Sequence, residues 1–82
     1  MMYQILIVKI ESRSNQALKV QEVLTKHGCA IKTRLGLHEV SPNYCAEDGL
    51  VILELSGKKE EIDKLQQDLE KLEGVTVRYI EV

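Results

Sequence analysis

The segment that decides the fold is residues 49–82, GLVILELSGKKEEIDKLQQDLEKLEGVTVRYIEV. It opens with the apolar run Gly49–Leu55, which predicts a strand. Apolar residues then recur at helical spacing, and acidic residues cluster near the start of that stretch, where the helix dipole favours negative charge. The apolar stripe of this helix is Ile62, Leu65, Leu69 and Leu72. Gly74 ends the helix, and Val75–Val82 predicts another strand. The segment is therefore a strand–helix–strand unit.

The first half of the chain repeats this order of elements. Tyr3–Glu11 predicts a strand, and Asn15–His27 carries apolar residues at helical spacing. Cys29–Val40 predicts the second strand. The turn-forming residues of Ser41–Asp48 predict the loop that joins the two halves.

A shift of forty-six positions superposes similar residues of the two halves. Placing Ile5 on Val51 also places Gly28 on Gly74, and Gly28 is expected to end its helix in the left-handed conformation. Two such units predict an α+β fold, the ferredoxin-like βαββαβ sandwich. Its four-stranded antiparallel sheet has the order 4-1-3-2 and carries both helices on one face. The 82 residues allow one domain, residues 1–82.

The composition excludes several classes of protein. With 44% hydrophobic and 29% charged residues the chain is not of the disordered type. A net charge of −2 without a basic run disfavours direct binding to nucleic acid. The apolar stretch Ile5–Ile10 is too short for a signal core or a membrane span. Two cysteines make no disulfide framework, so we expect a cytoplasmic protein with no membrane partner.

Both central strands are apolar on both faces. The first strand carries Leu6, Val8 and Ile10 on one face and Tyr3, Ile5 and Ile7 on the other. The third strand carries Val51, Leu53 and Leu55 on one face and Leu50 and Ile52 on the other. Two helices cover one face, so the other is predicted to expose an apolar centre flanked by Lys32, Arg34, His38 and Arg78. Such surfaces mark interfaces. We expect a homodimer or tetramer formed through this face or by edge pairing.

Alternation along the second strand places Lys32, Arg34, Gly36 and His38 on one face. A glycine within a strand lets a ligand or another backbone approach closely, and cations beside it suit a carboxylate or phosphate. We therefore expect these four residues, with Arg78 as a further cation, to bind a small anionic metabolite. The alternatives are a solvated edge and a Gly36 that permits subunit packing.

Two imidazoles and two thiols are the soft metal ligands of the chain. His38 and Cys45 are suited by type to Ni, Zn or Cu, but their spacing matches none of the strong zinc patterns. His27 is expected to be exposed at a helix C-terminus, and Cys29 to be a small core residue. A Ni or Zn sensor that uses His38 and Cys45 is therefore an alternative, and no cofactor is expected.

Catalytic motifs are missing from the sequence. The serines have no recognisable nucleophile motif, and there is no phosphate-binding loop. The carboxylates of Glu60–Glu73 alternate with lysines as on a solvated helix face. We do not expect an enzyme.

Ala17–Leu37 and Gly74–Arg78 resemble segments of small stand-alone ACT-like proteins, some of which are described as iron-only hydrogenase system regulators. The shared marks are Arg34-Leu35-Gly36 on the second strand and the closing Gly-Val-x-Val-Arg. The chain is also similar to the C-terminal regulatory domain of the nickel-responsive repressor. The resemblance implies an ACT-like oligomer with a regulatory role.

Two departures limit what the resemblance implies about a site. Ser12-Arg13-Ser14-Asn15 stands where amino-acid-binding ACT domains have Asp-x-Pro-Gly. Gly36 stands where the nickel regulator has the first histidine of His-x-His. The prediction is therefore a non-catalytic regulatory module that binds a small ligand and acts as a homo-oligomer. The metal sensor and a protein-interaction adaptor that works through a regulated protein are the alternatives.

Overall fold

The computed structural model describes residues 2–11, 13–40 and 45–82, and it describes side chains outside residues 12–17 and 37–48. The elements in chain order are β1 (Gln4–Ile10), α1 (Arg13–Lys26), a 3₁₀ turn (Gly28–Ala30), β2 (Ile31–Val40), β3 (Cys45–Leu55), α2 (Lys59–Glu70) and β4 (Val75–Glu81).

The four strands form one antiparallel sheet in the order β2-β3-β1-β4. This is the predicted order, and the βαββαβ sandwich is confirmed. β1 and β3 lie in the centre, where their apolar sequences bury more surface than an edge strand could. β2 and β4 form the two edges.

The core lies between the helices and one face of the sheet. Each strand contributes alternate residues to it because successive side chains point to opposite faces. The fully or almost fully buried sheet residues are Leu6, Val8, Ile10, Leu53, Leu55 and Val77, and the helices contribute Val20, Leu24, Ile62, Leu65 and Leu69. The predicted helical stripe of α2 is thus confirmed, with Leu72 packed against the edge of this cluster.

Gly74 has the left-handed backbone expected of it, but α2 already ends at Glu70, so Gly74 lies in the turn between α2 and β4. Its φ is +78°, and a Cβ there would lie 3.2 Å from the Glu11 carbonyl oxygen. The Gly74 carbonyl accepts a hydrogen bond from the Glu11 amide at 2.8 Å, so this turn links the start of β4 to the end of β1. Only glycine accommodates this close approach without strain.

Three predicted boundaries are wrong. Gly28 is not among the positive-φ glycines of the described chain. It begins a 3₁₀ turn, in which the Ala30 amide bonds the His27 carbonyl at 2.9 Å, so β2 starts at Ile31 instead of Cys29. β3 begins at Cys45, inside the predicted loop, because its backbone pairs with Val40 on β2. Residues 41–44 of that loop lie outside the described part of the chain.

Candidate functional site

The face of the sheet opposite the helices carries an apolar patch. We call this patch the open face; it consists of Ile5, Ile7, Leu35, Leu50, Ile52 and Ile80. The strand registers align it in rows: Leu35, Ile52, Ile7 and Arg78 follow one another across the four strands. Leu35 is 54% exposed and Ile80 is 40% exposed, and the other four are half-buried. No described element covers the patch.

A β-bulge at Lys32 changes which residues of β2 share a face. Ile31 pairs with Leu55, whereas the next pair on the ladder is Thr33 with Glu54. Lys32 is the extra residue, and it shifts the residues that follow it on β2 to the face opposite to the one that simple alternation predicts. Arg34 therefore lies opposite the core residue Leu53, on the helix side of the sheet.

The bulge separates the predicted anion-binding residues. Lys32 Nζ lies 3.7 Å from Oε2 of Glu54, and Glu54 is on the same side of the sheet as the open face. Arg34 Nη2 donates to Gln21 Oε1 of α1 at 2.8 Å, which holds the guanidinium on the other side of the sheet. The prediction that Lys32 and Arg34 share a face is wrong, because period-two alternation does not continue through a bulge.

Arg34 and Gly36 remain together on the helix side. Gly36 pairs with Val51, which packs against the core, so its missing side chain belongs to the same face as Arg34. A Cβ at Gly36 would meet no described atom within 4 Å. The edge of β2 therefore presents a guanidinium, oriented by Gln21, beside a space without a side chain.

The side chains of His38 and Cys45 lie outside the described part of the structure. Their backbones are placed by register: His38 pairs with Gly49, and Cys45 pairs with Val40 at the start of β3. Because Cys45 lies beside Val40, it is two residues of β2 from the level of His38, which is ~7 Å along that strand. Among the side chains that are described, no group of three metal-ligating residues occurs.

An ion-pair cluster that the sequence patterns missed joins the two helices. His27 Nε2 donates to Asp68 Oδ2 at 2.8 Å, and Lys26 Nζ lies 3.3 Å from the same oxygen. Lys71 Nζ lies 3.7 Å from the other carboxylate oxygen. The His27 side chain is only 13% exposed, so the expectation of an exposed histidine is wrong. Cys29, expected in the core, is exposed instead because the 3₁₀ turn directs Ala30 inward.

Hydrogen bonds from His27 and then Lys26 hold the pKa of Asp68 below its usual value of 3.8. A depressed carboxyl pKa stabilises the fold above the unfolded pKa, and this contribution is lost as pH falls through the folded pKa. We therefore expect wild-type stability to decline below about pH 4, and Asp68→Asn to be less stable at neutral pH with a flatter acid slope. Urea unfolding between acid and neutral pH measures both effects. Glu70→Gln, an exposed carboxylate of the same helix, is the control, and an unchanged acid slope in Asp68→Asn would contradict the assignment.

A second polar cluster attaches α2 to β4. Lys59 Nζ lies 4.5 Å above the centre of the Tyr79 ring and also pairs with Asp63. The hydrogen bond to Asp63 raises the pKa of Lys59. Burial, followed by the hydrogen bond that the phenol donates to Glu81 at 2.7 Å, raises the pKa of Tyr79. Both groups thus keep their protons at neutral pH, which suits a structural contact better than proton transfer.

No helix within the described ranges has the length and apolar character that a membrane crossing requires. The sequence matches no protein-family model and no curated protein.

Solved structures share the fold over the full length of the chain. An uncharacterized protein from Thermotoga maritima has a TM-score of 0.81 at 22% identity, covering 100% of this chain and 99% of its own. The ACT domain from the GTP pyrophosphokinase of Chlorobium tepidum has a TM-score of 0.67 at 20% identity, covering 98% and 97%. CPII, a nitrogen regulatory PII-like protein from Thiomonas intermedia K12 bound to ADP, AMP and bicarbonate, has a TM-score of 0.60 at 14% identity, covering 100% and 93%. The chain therefore has an ACT-like version of the ferredoxin-like fold.

Proposed function

We propose that this protein is a non-catalytic regulatory module that binds a small anionic ligand and acts as a homo-oligomer. The observation that carries the proposal is the open face, an apolar patch in the middle of a sheet whose other side already holds both helices. A cytoplasmic location is part of the proposal. The more specific resemblance to iron-only hydrogenase regulators stays a prediction.

Simple energetics support self-association. Burial of apolar surface contributes about 25 cal/mol per Å², and six aliphatic side chains on one face represent several kcal/mol when covered. A domain of this size has a total stability of only about 4–12 kcal/mol. An apolar patch of this kind in a soluble protein typically marks a binding surface. The similar PII-like protein from Thiomonas intermedia K12 is described as a nitrogen regulatory protein, which supports a regulatory role for the same fold.

Arg34 is the proposed anion-binding group. Gln21 orients its guanidinium, and the space beside Gly36 leaves room for a carboxylate or phosphate. Charge-assisted hydrogen bonds from a guanidinium are strong and can be bidentate. Lys32 is engaged with Glu54 on the other side of the sheet, so we assign it no role in this site. His38 stays a predicted member.

A thermal-shift screen tests ligand binding. Phosphate, adenine nucleotides and amino acids are the probes, and a ligand at 100 times its Kd should raise Tm by roughly 10–20 °C. Arg34→Ala should weaken binding of that ligand about 10–100-fold, since it removes charge-assisted hydrogen bonds. Lys58→Ala, an exposed lysine at the start of α2, is the matched control.

The screen also separates the alternatives. No shift with any anion, together with an intact oligomer, would contradict the ligand proposal and favour the interaction adaptor. Binding of Ni or Zn that His38→Ala abolishes would support the metal sensor.

A further inference from the structure

Two opposite charges are placed symmetrically about the centre of the open face. Lys9 pairs with Leu50 on one side of the Ile7–Ile52 pair, and Glu54 pairs with Ile5 on the other side. The two charged residues are thus ~13 Å apart along the strands and ~5 Å across them. They point to the same side of the sheet but are too distant to pair within one chain.

We propose that two copies of the chain pack open face to open face about a two-fold axis, so that Lys9 of each copy pairs with the partner subunit's Glu54. This proposal rests on the homo-oligomer of the proposed function and specifies its geometry. A two-fold axis that lies between the sheets, perpendicular to the line from Lys9 to Glu54, exchanges the ends of that line. One cation and one anion then form two identical intermolecular pairs, as a self-complementary interface requires.

The same axis places the apolar centre against itself. Ile7 and Ile52 lie next to the axis, so each contacts its own copy in the partner. These side chains are half-buried in the single chain and would be fully enclosed in the dimer. The interface would therefore have an apolar centre with charges toward its margin, which is the usual arrangement.

The crossing angle agrees with known sheet packing. The line from Lys9 to Glu54 runs ~13 Å along the strands and ~5 Å across them. The two-fold axis is perpendicular to this line, so it lies about 20° from the direction perpendicular to the strands. Rotation about it makes the strands of the two sheets cross at about −40° when the βαβ crossovers are right-handed. Aligned sheet sandwiches cross at about −30°, in the same sense.

The remaining charges of this side are compatible with the arrangement. Arg78 is exposed and lies beside Ile7 on the edge strand, so the axis places it near the partner subunit's Arg78 at the margin of the sheets, where water screens the like charges. Lys32 lies 3.7 Å from Glu54, whose side chain is 31% exposed. Glu54 would then accept from its own Lys32 and from the partner subunit's Lys9, which in the single chain is 58% exposed and lies 3.9 Å from Oε1 of the exposed Glu11.

Charge reversal tests the pairing. We expect Lys9→Glu and Glu54→Lys each to raise the dimer dissociation constant about tenfold or more, measured by sedimentation equilibrium. The double variant should return to within a few-fold of wild type. An equimolar mixture of the two single variants should also associate, because their charges are complementary only between chains.

Matched controls and a second measurement keep the test decisive. Lys19→Glu and Glu22→Lys make the same charge changes on the exposed side of α1 and should leave dissociation unchanged. If Glu54→Lys does not fold, a double-mutant cycle with Lys9→Ala and Glu54→Ala measures the same coupling.

The outcomes distinguish this inference from the proposed function. A wild-type dimer whose single variants are not rescued by the double variant or by mixing would overturn the face-to-face arrangement and leave the oligomer intact. A wild-type chain that stays monomeric at several hundred micromolar would overturn both the arrangement and the oligomeric part of the proposed function.

Discussion

Replacing Leu65 by alanine is expected to lower the free energy of unfolding by about 2–5 kcal/mol. Leu65 lies on α2, has no exposed surface, and belongs to the cluster that joins both helices to the sheet. Its truncation removes buried methyl groups and leaves a cavity that a rigid sheet cannot fill. Because the whole domain has about 4–12 kcal/mol of stability, the variant should be close to unfolding at 37 °C.

Urea unfolding followed by circular dichroism measures this loss. Leu18→Ala is the matched control, since it makes the same change on α1 at a side chain that is 80% exposed, and we expect less than about 0.5 kcal/mol there. Equal effects of the two substitutions would mean that α2 does not pack on the sheet as described.

Replacing Ile52 by lysine is expected to raise the dissociation constant of the proposed homodimer about 100-fold or more. Ile52 lies in the middle of the open face, between Leu35 and Ile7 in the strand registers. Each copy would lose the burial of an aliphatic side chain, which contributes about 1.5–3 kcal/mol, and would gain an ammonium group that has to be desolvated. A two-fold interface doubles both effects.

Sedimentation velocity across a concentration series measures this change. The single chain should stay folded, because the side chain of Ile52 points away from the helices. Leu18→Lys places the same group on the helix side and should leave association unchanged. If Ile52→Lys associates as tightly as the wild type, the subunits must meet elsewhere, and pairing along the edge strands β2 or β4 becomes the better explanation.

The fold could be predicted because its signals are local and occur twice. Each half has an apolar strand, a helical stripe and a closing glycine, and such units combine in few ways. The stripe from Ile62 to Leu69 is buried as its spacing predicts. The boundaries that failed depend on competition between hydrogen bonds, as in the 3₁₀ turn after His27, and residue type alone does not decide that competition.

The candidate site was less predictable for a definite reason. Alternation indicated that Lys32 and Arg34 share a face, but one extra residue in a ladder reverses every side chain beyond it. Nothing in the residues around Lys32 marks that bulge. The link from His27 to Asp68 also joins residues that are 41 positions apart, and no local pattern reports such a contact.

The sequence by itself determined the order of the elements, the membership of the core and the excess of apolar residues on the central strands. These properties follow from the hydrophobic periodicity and the side-chain chemistry, which depend only on the amino-acid sequence. Only the tertiary structure decided which cations meet which partners: Arg34 lies beside α1, Lys32 beside Glu54, and Lys9 across the apolar centre from Glu54. Such placement depends on strand register and on a single bulge, and these are set when the strands pair.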